Sequence, residues 1–161
     1  MFIQKKETDM RRSRRNILTI VPLLALMLMV LSGFFSSATI AADVVIVANN
    51  SVSEAALTKD TLKEIYLGKQ VKWSDGNKIY LAALKKSDTH KVFAKTYVRK
   101  SPSQFRMFWK KMVFTGKGKA PKSCGSDADM LKYVASTEGA IGYISSGTSA
   151  DGVKTITVSD N

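Results

Sequence analysis

The stretch Val44-Val45-Ile46-Val47-Ala48, closed by Asn49-Asn50-Ser51, decides the fold. Four β-branched residues in succession leave no polar face, so the segment reads as a strand covered on both sides. A strand of that kind implies helices layered on a sheet.

Downstream of it the apolar spacing alternates between helix and strand. Leu57, Leu62, Ile65 and Tyr66 recur at helical spacing, with Thr58 as N-cap and Gly68 at the left-handed position, which predicts a short helix over 58–67. Trp73-Ser74-Asp75-Gly76-Asn77 has turn chemistry, and residues 78–84 predict a second strand, apolar on both faces. Ser87-Asp88-Thr89 caps a helix containing Val92, Phe93, Thr96 and Tyr97. Ser101-Pro102-Ser103-Gln104 starts the next, with a capping Ser, Pro at the first helical position and Gln at the third. Phe105, Phe108, Trp109, Met112 and Val113 form an apolar stripe along it, expected to face the core, and Gly116 ends it. Residues 117–122 are expected to be an exposed basic loop. Ser126 opens a helix with Met130, Leu131, Val134 and Ala135 inward, followed by strands at 140–144 and 153–158. The order predicts one α/β domain with a largely parallel sheet flanked by helices.

Upstream of Val44 the sequence has a different character. Arg11, Arg12, Arg14 and Arg15 precede an almost wholly apolar run at 17–35, and small residues fill 38–42. Basic, apolar and small in that order predict an export signal over 1–42, leaving 43–161 as the working domain, periplasmic or otherwise exported. Ser13-Arg14-Arg15-Asn16-Ile17 partly matches the twin-arginine pattern, so the general secretory and twin-arginine routes both stay open. Phe34 follows Leu31-Ser32-Gly33 where lipid anchoring would require Cys, which argues against acylation. The apolar run approaches the ~20 residues that span a bilayer, so an uncleaved inner-membrane anchor is the alternative to cleavage.

Of the 25 Lys and Arg and 13 Asp and Glu, six and two lie in residues 1–42, which leaves 19 against 11 in 43–161. A basic balance of that size favours anionic partners. Nucleic acid is not expected, because the aromatics belong to apolar stripes rather than an exposed sheet face and export removes a genomic partner. Cys124 is the single cysteine, so no intramolecular disulfide and no cysteine-built metal site is expected. His90 is the single histidine and is expected exposed on its Lys-rich helix. Asp127 and Asp129 read as helix-start residues, and Ser145-Ser146-Gly147-Thr148-Ser149 as a plain turn rather than a phosphate cradle. With no acid/base pair, metal cluster or nucleotide loop, neither an enzyme nor a cofactor is expected.

Three blocks together resemble a known family: residues 62–69, Leu-Lys-Glu-Ile-Tyr-Leu-Gly-Lys, with Trp73-Ser74-Asp75-Gly76; Phe108-Trp109 through Phe114-Thr115-Gly116; and Glu138-Gly139-Ala140-Ile141-Gly142-Tyr143. Over about residues 44–146 the chain resembles the phosphate-type periplasmic substrate-binding proteins of ABC transporters. Members of that family have two lobes that close on an oxyanion, and this chain is long enough for one. The resemblance implies one lobe of a periplasmic-binding-protein-like fold, with a small oxyanion, phosphate by default, as ligand and an ABC permease or envelope protein as partner. A homodimer would supply the missing lobe.

The family places an Arg-x-Asp-x-Ser-Gly-Thr segment at the helix start that holds the anion. The corresponding residues here are Lys85-Lys86-Ser87-Asp88-Thr89, without the Arg or the Ser-Gly-Thr. Lys85 and Lys86 for charge, and Ser87 and Thr89 for hydroxyls, are the expected anion-site residues. The alternative is a ligand-free interaction module of the cell envelope, in which Ser87 only caps its helix.

Overall fold

The computed structural model describes residues 43–160, so the basic, apolar and small segments of 1–42 lie outside the described residues. Val44–Ala48 forms β1, hydrogen-bonded on both sides within a six-stranded sheet. The remaining elements follow as β2 (Ala56–Thr58), α1 (Lys59–Tyr66), β3 (Tyr80–Leu84), α2 (Asp88–Thr96), α3 (Pro102–Phe114), β4 (Lys122–Cys124), α4 (Asp127–Ser136), β5 (Ala140–Ser145) and β6 (Lys154–Ser159). The sheet order is β2-β6-β1-β5-β3-β4. β1 pairs antiparallel with β5, Ile46 opposite Tyr143, and with β6, Ile46 opposite Ile156. The β2–β6, β3–β5 and β3–β4 pairings are parallel, so five strands share a direction and β1 runs against them. The chain is a mixed α/β lobe with a six-stranded sheet and flanking helices.

Two strands escaped the sequence reading, and both are three residues long. The expected basic loop at 117–122 gives way at its last residue to β4, where Lys122 pairs with Ala82. Such short edge strands carry too few residues for alternation to register, and only a neighbour's hydrogen bonds define them.

The helix boundaries follow their caps. Thr58 accepts from the Thr61 N–H at 3.1 Å, Ser87 from His90 at 3.0 Å and Ser126 from Asp129 at 3.2 Å. Ser101 closes the reciprocal capping box with Gln104. Gly68 and Gly116 take φ of +68° just past α1 and α3. Buried Asn49 ends β1 for a different reason: its Nδ2 donates to the carbonyls of Val134 and Ala135 at 2.7 and 2.9 Å, satisfying the end of α4.

Phe93, Tyr66 and Tyr143 form the aromatic centre of the core. Phe93 stacks on Tyr143 with ring centroids 3.7 Å apart, and Tyr66 meets Phe93 edge-on at 4.6 Å. Met130 and Val134 of α4 pack on β5 as expected, whereas Ala135 is exposed because it lies outside their i, i+4 row. The α3 stripe also departs from expectation at its far end: Phe105 and Trp109 are buried, but Val113 is 51% exposed.

Candidate functional site

Beyond Leu84 the chain leaves β3 with one more sheet bond, from the Lys85 N–H to the Cys124 carbonyl at 2.9 Å, and enters α2 at Ser87. Ser87 is extended, φ −148° and ψ 161°, so its side chain can fold over the first turn and cap it. Its Oγ takes the His90 N–H and its carbonyl takes the Lys91 N–H at 3.2 Å. The N–H groups of Asp88 and Thr89 therefore have no partner within the helix. Together with the helix dipole, they give the start of α2 a positive end.

This helix start opens on a groove of about 1290 Å³. The groove lies between α3, which contributes Phe105, Arg106, Trp109, Lys110, Val113 and Phe114, and the ends of β3 and β4, which contribute Leu84, Ser123 and Gly125. Lys85, Lys86 and Ser87 line it. Thr89 is buried in the first turn and is not a lining residue. Three of the four expected site residues are thus brought to one wall, and the fourth faces inward.

The charges at this wall are unequal. Lys91 Nζ holds the Asp88 carboxylate at 2.8 Å and keeps its proton affinity below the ordinary carboxylate range. The ion pairs among the described residues, Lys59–Asp160, Lys69–Glu64, Lys91–Asp88 and Arg99–Asp60, involve neither Lys85 nor Lys86, and both lysines are exposed.

His90 is the residue that sequence reasoning misplaced. It is buried at 7% exposure, packed beside Phe105, with Nδ1 2.6 Å from the Tyr143 hydroxyl. That hydroxyl also accepts the Leu84 N–H at 3.2 Å, and it is the donor to His90 Nδ1 when the neutral imidazole carries its proton on Nε2. Burial lowers the proton affinity of His90 and raises that of the Tyr143 phenol. The lysines flanking His90 in sequence had pointed outward, but its helical neighbour Phe93 sits in the core and brings the imidazole with it. The signal available in the sequence was the one-turn spacing of His90 and Phe93.

The second helix start beside the groove is closed to anions. The Asp129 carboxylate takes the Gly125 N–H at 3.1 Å, and Asp127 Oδ2 takes the Ser145 N–H at 3.0 Å and the Thr148 hydroxyl at 2.8 Å. Two carboxylates thus occupy the positive end of α4, and residues 145–149 form a turn tied to it. Cys124 is buried in β4, and burial raises its thiol's proton affinity, away from the thiolate a nucleophile needs. Among the described residues, no three His, Cys, Asp or Glu side chains converge as a metal would require.

Residues 33–160 match the PBP superfamily domain. No curated protein matches the sequence. Among solved structures, the fold is similar to a putative phosphate ABC transporter substrate-binding protein with bound phosphate from Clostridium perfringens, at 20% identity and TM-score 0.58, over 71% of this chain and 44% of that one. An ABC-type phosphate transport receptor from Vibrio cholerae matches at 21% identity and TM-score 0.54, over 71% and 45%. PstS from Borrelia burgdorferi matches at 13% and 0.56, over 71% and 46%. The chain therefore spans less than half the length of each of these structures.

Proposed function

The chain belongs to the PBP superfamily, and from that premise we propose that it is an exported single-lobe solute-binding protein whose ligand is a small oxyanion, phosphate by default. The observation that carries the reading is the start of α2, where Lys85 and Lys86 line a groove outside the ion pairs, next to Asp88 and Thr89 N–H groups that have no partner within the helix. Lys85 and Lys86 supply charge, the Ser87 hydroxyl donates while its oxygen caps the helix, and Thr89 contributes through its backbone N–H rather than its buried side chain. Export by the 1–42 segment puts the site in the periplasm, and an ABC permease and ATPase on separate chains would complete an uptake or sensing system. A homodimer would supply the second wall. The role is binding rather than catalysis.

The test is calorimetric titration of the full-length chain with phosphate, sulfate and molybdate at low and moderate salt. Saturable heat that survives added salt is expected, with binding weakened about tenfold or more in Lys85→Gln/Lys86→Gln. One observation favours the second reading, the ligand-free interaction module: Asp88 puts a carboxylate in the first turn, where it competes for the dipole. Absent or salt-abolished heat would decide for that module.

A further inference from the structure

The groove is larger and more apolar than an inorganic oxyanion requires. Phe105 and Trp109 form its floor, and Val113 and Phe114 rise to its lip, where Phe114 is 93% exposed. A phenylalanine left in water beside other apolar side chains marks a surface built to be covered. Cations stand on both walls: Lys85 and Lys86 enter from the end of β3, while Arg106 and Lys110 sit one turn apart on α3. None of the four takes part in the ion pairs among the described residues.

From this combination we infer that the groove docks an acidic amphipathic segment of another polypeptide. The segment's apolar face lies on Trp109, Val113 and Phe114, and its carboxylates meet the cations of the two walls. Other occupants fit the chemistry less well. A flat bilayer meets Phe114 but does not enter a concavity. A second copy of the chain docked here directly, with no oxyanion between the two sets of cations, brings like charges against one another in a domain that carries 19 Lys and Arg against 11 acids. A small amphiphilic anion gathers its charge at one end, whereas these cations are spread along both walls, and the volume exceeds the ~300–1,000 Å³ of small-ligand pockets. A peptide segment keeps its outer face in water, as an open groove permits. The inference stands beside the oxyanion reading rather than on it, since it uses α3 side chains instead of the hydroxyl and N–H groups at the start of α2.

Selection of a random peptide display library on the full-length chain tests it. Enriched sequences are expected to combine Asp or Glu with Leu, Ile, Phe or Trp at amphipathic spacing. The consensus peptide, fluorescently labelled, is expected to bind Arg106→Glu/Lys110→Glu and Val113→Ser/Phe114→Ser about tenfold or more weakly than the unaltered chain. All four positions are exposed, so both variants should keep the parent's circular dichroism spectrum and melting temperature. Phosphate heats measured on the same proteins separate the two readings: peptide binding without phosphate binding would overturn only the oxyanion site. The inference is overturned if no acidic-apolar consensus emerges, or if both variants bind the consensus as well as the parent. It also fails if the substitutions instead abolish sedimentation with phosphatidylglycerol vesicles, which makes the surface a membrane contact, or dissolve a dimer, which makes the occupant a second copy.

Discussion

Gly139 and Gly142 lie three residues apart, and each excludes a side chain for its own reason. Gly139 takes φ +71°, and a Cβ there would overlap the Lys78 carbonyl oxygen, while its own carbonyl receives both the Trp73 indole N–H at 3.0 Å and the Tyr80 N–H at 3.1 Å. Gly142 is regular strand, but a Cβ would press on the thioether of Met130 in α4. Backbone does not yield as a methionine does, so Gly139→Ala is expected to cost about 2–4 kcal/mol and Gly142→Ala about 1–3 in urea unfolding. The reverse order would mean that the turn before β5 relaxes more readily than the helix beside it.

His90 belongs to the same scale. Its folded-state proton affinity is lowered by burial, so the native state resists a proton that the unfolded chain accepts. The sign follows: this stabilisation is intact above the unfolded pKa of about 6.5 and is lost as pH falls below it. Urea midpoints are expected to decline between pH 7.5 and 5.5 in the parent and to stay flat in His90→Gln over that window. Parallel declines would assign the dependence to other groups.

At the scale of elements, the three blocks that carried the family resemblance turn out to be packing partners of one another. The Trp109 indole N–H donates to the Tyr66 carbonyl at 3.2 Å, and a Cβ on Gly68 would sit 3.2 Å from the Trp109 ring, so the end of α1 and the middle of α3 are made for each other. Trp73 ties the first block to Gly139 of the third in the same way. The resemblance is thus written in residues that hold the lobe together, while the groove wall at Lys85 and Lys86 is where the sequence departs from the family's segment. The cap of α3 is separable from all of this: Ser101 and Gln104 are exposed and serve only the helix start. Ser101→Ala is expected to cost about 1 kcal/mol in thermal unfolding and to leave any phosphate heat unchanged. A loss of phosphate heat would couple the α3 start to the anion wall.

At the scale of the whole molecule, an anion wall carried on one lobe, as proposed, has energetic consequences. An anion held on one side keeps part of its hydration and competes with water for each hydrogen bond, so the affinity of the monomer for phosphate is expected to be weak and to tighten on any closure by a partner. The excess of basic residues over 43–161 raises local anion concentration, which adds a salt-dependent background that the calorimetry at two ionic strengths subtracts.

Local chemistry sufficed for much of this. Ser87, Ser101, Ser126 and Thr58 cap their helices because a short hydroxyl side chain meets N–H groups within its own turn, and the Val44–Ala48 run became a doubly paired strand because nothing on it tolerates water. The proposed anion wall was legible in part for the same reason, since Lys85, Lys86 and Ser87 are neighbours in the chain. What only the tertiary structure decided depends on contacts between distant residues. The direction of β1 against its five companions, the existence of β2 and β4, the burial of His90 against Tyr143 and the groove between α3 and the sheet end are all set by partners far away in sequence. The sequence carried each of those side chains, but it could not say which would face which until the lobe had closed around them.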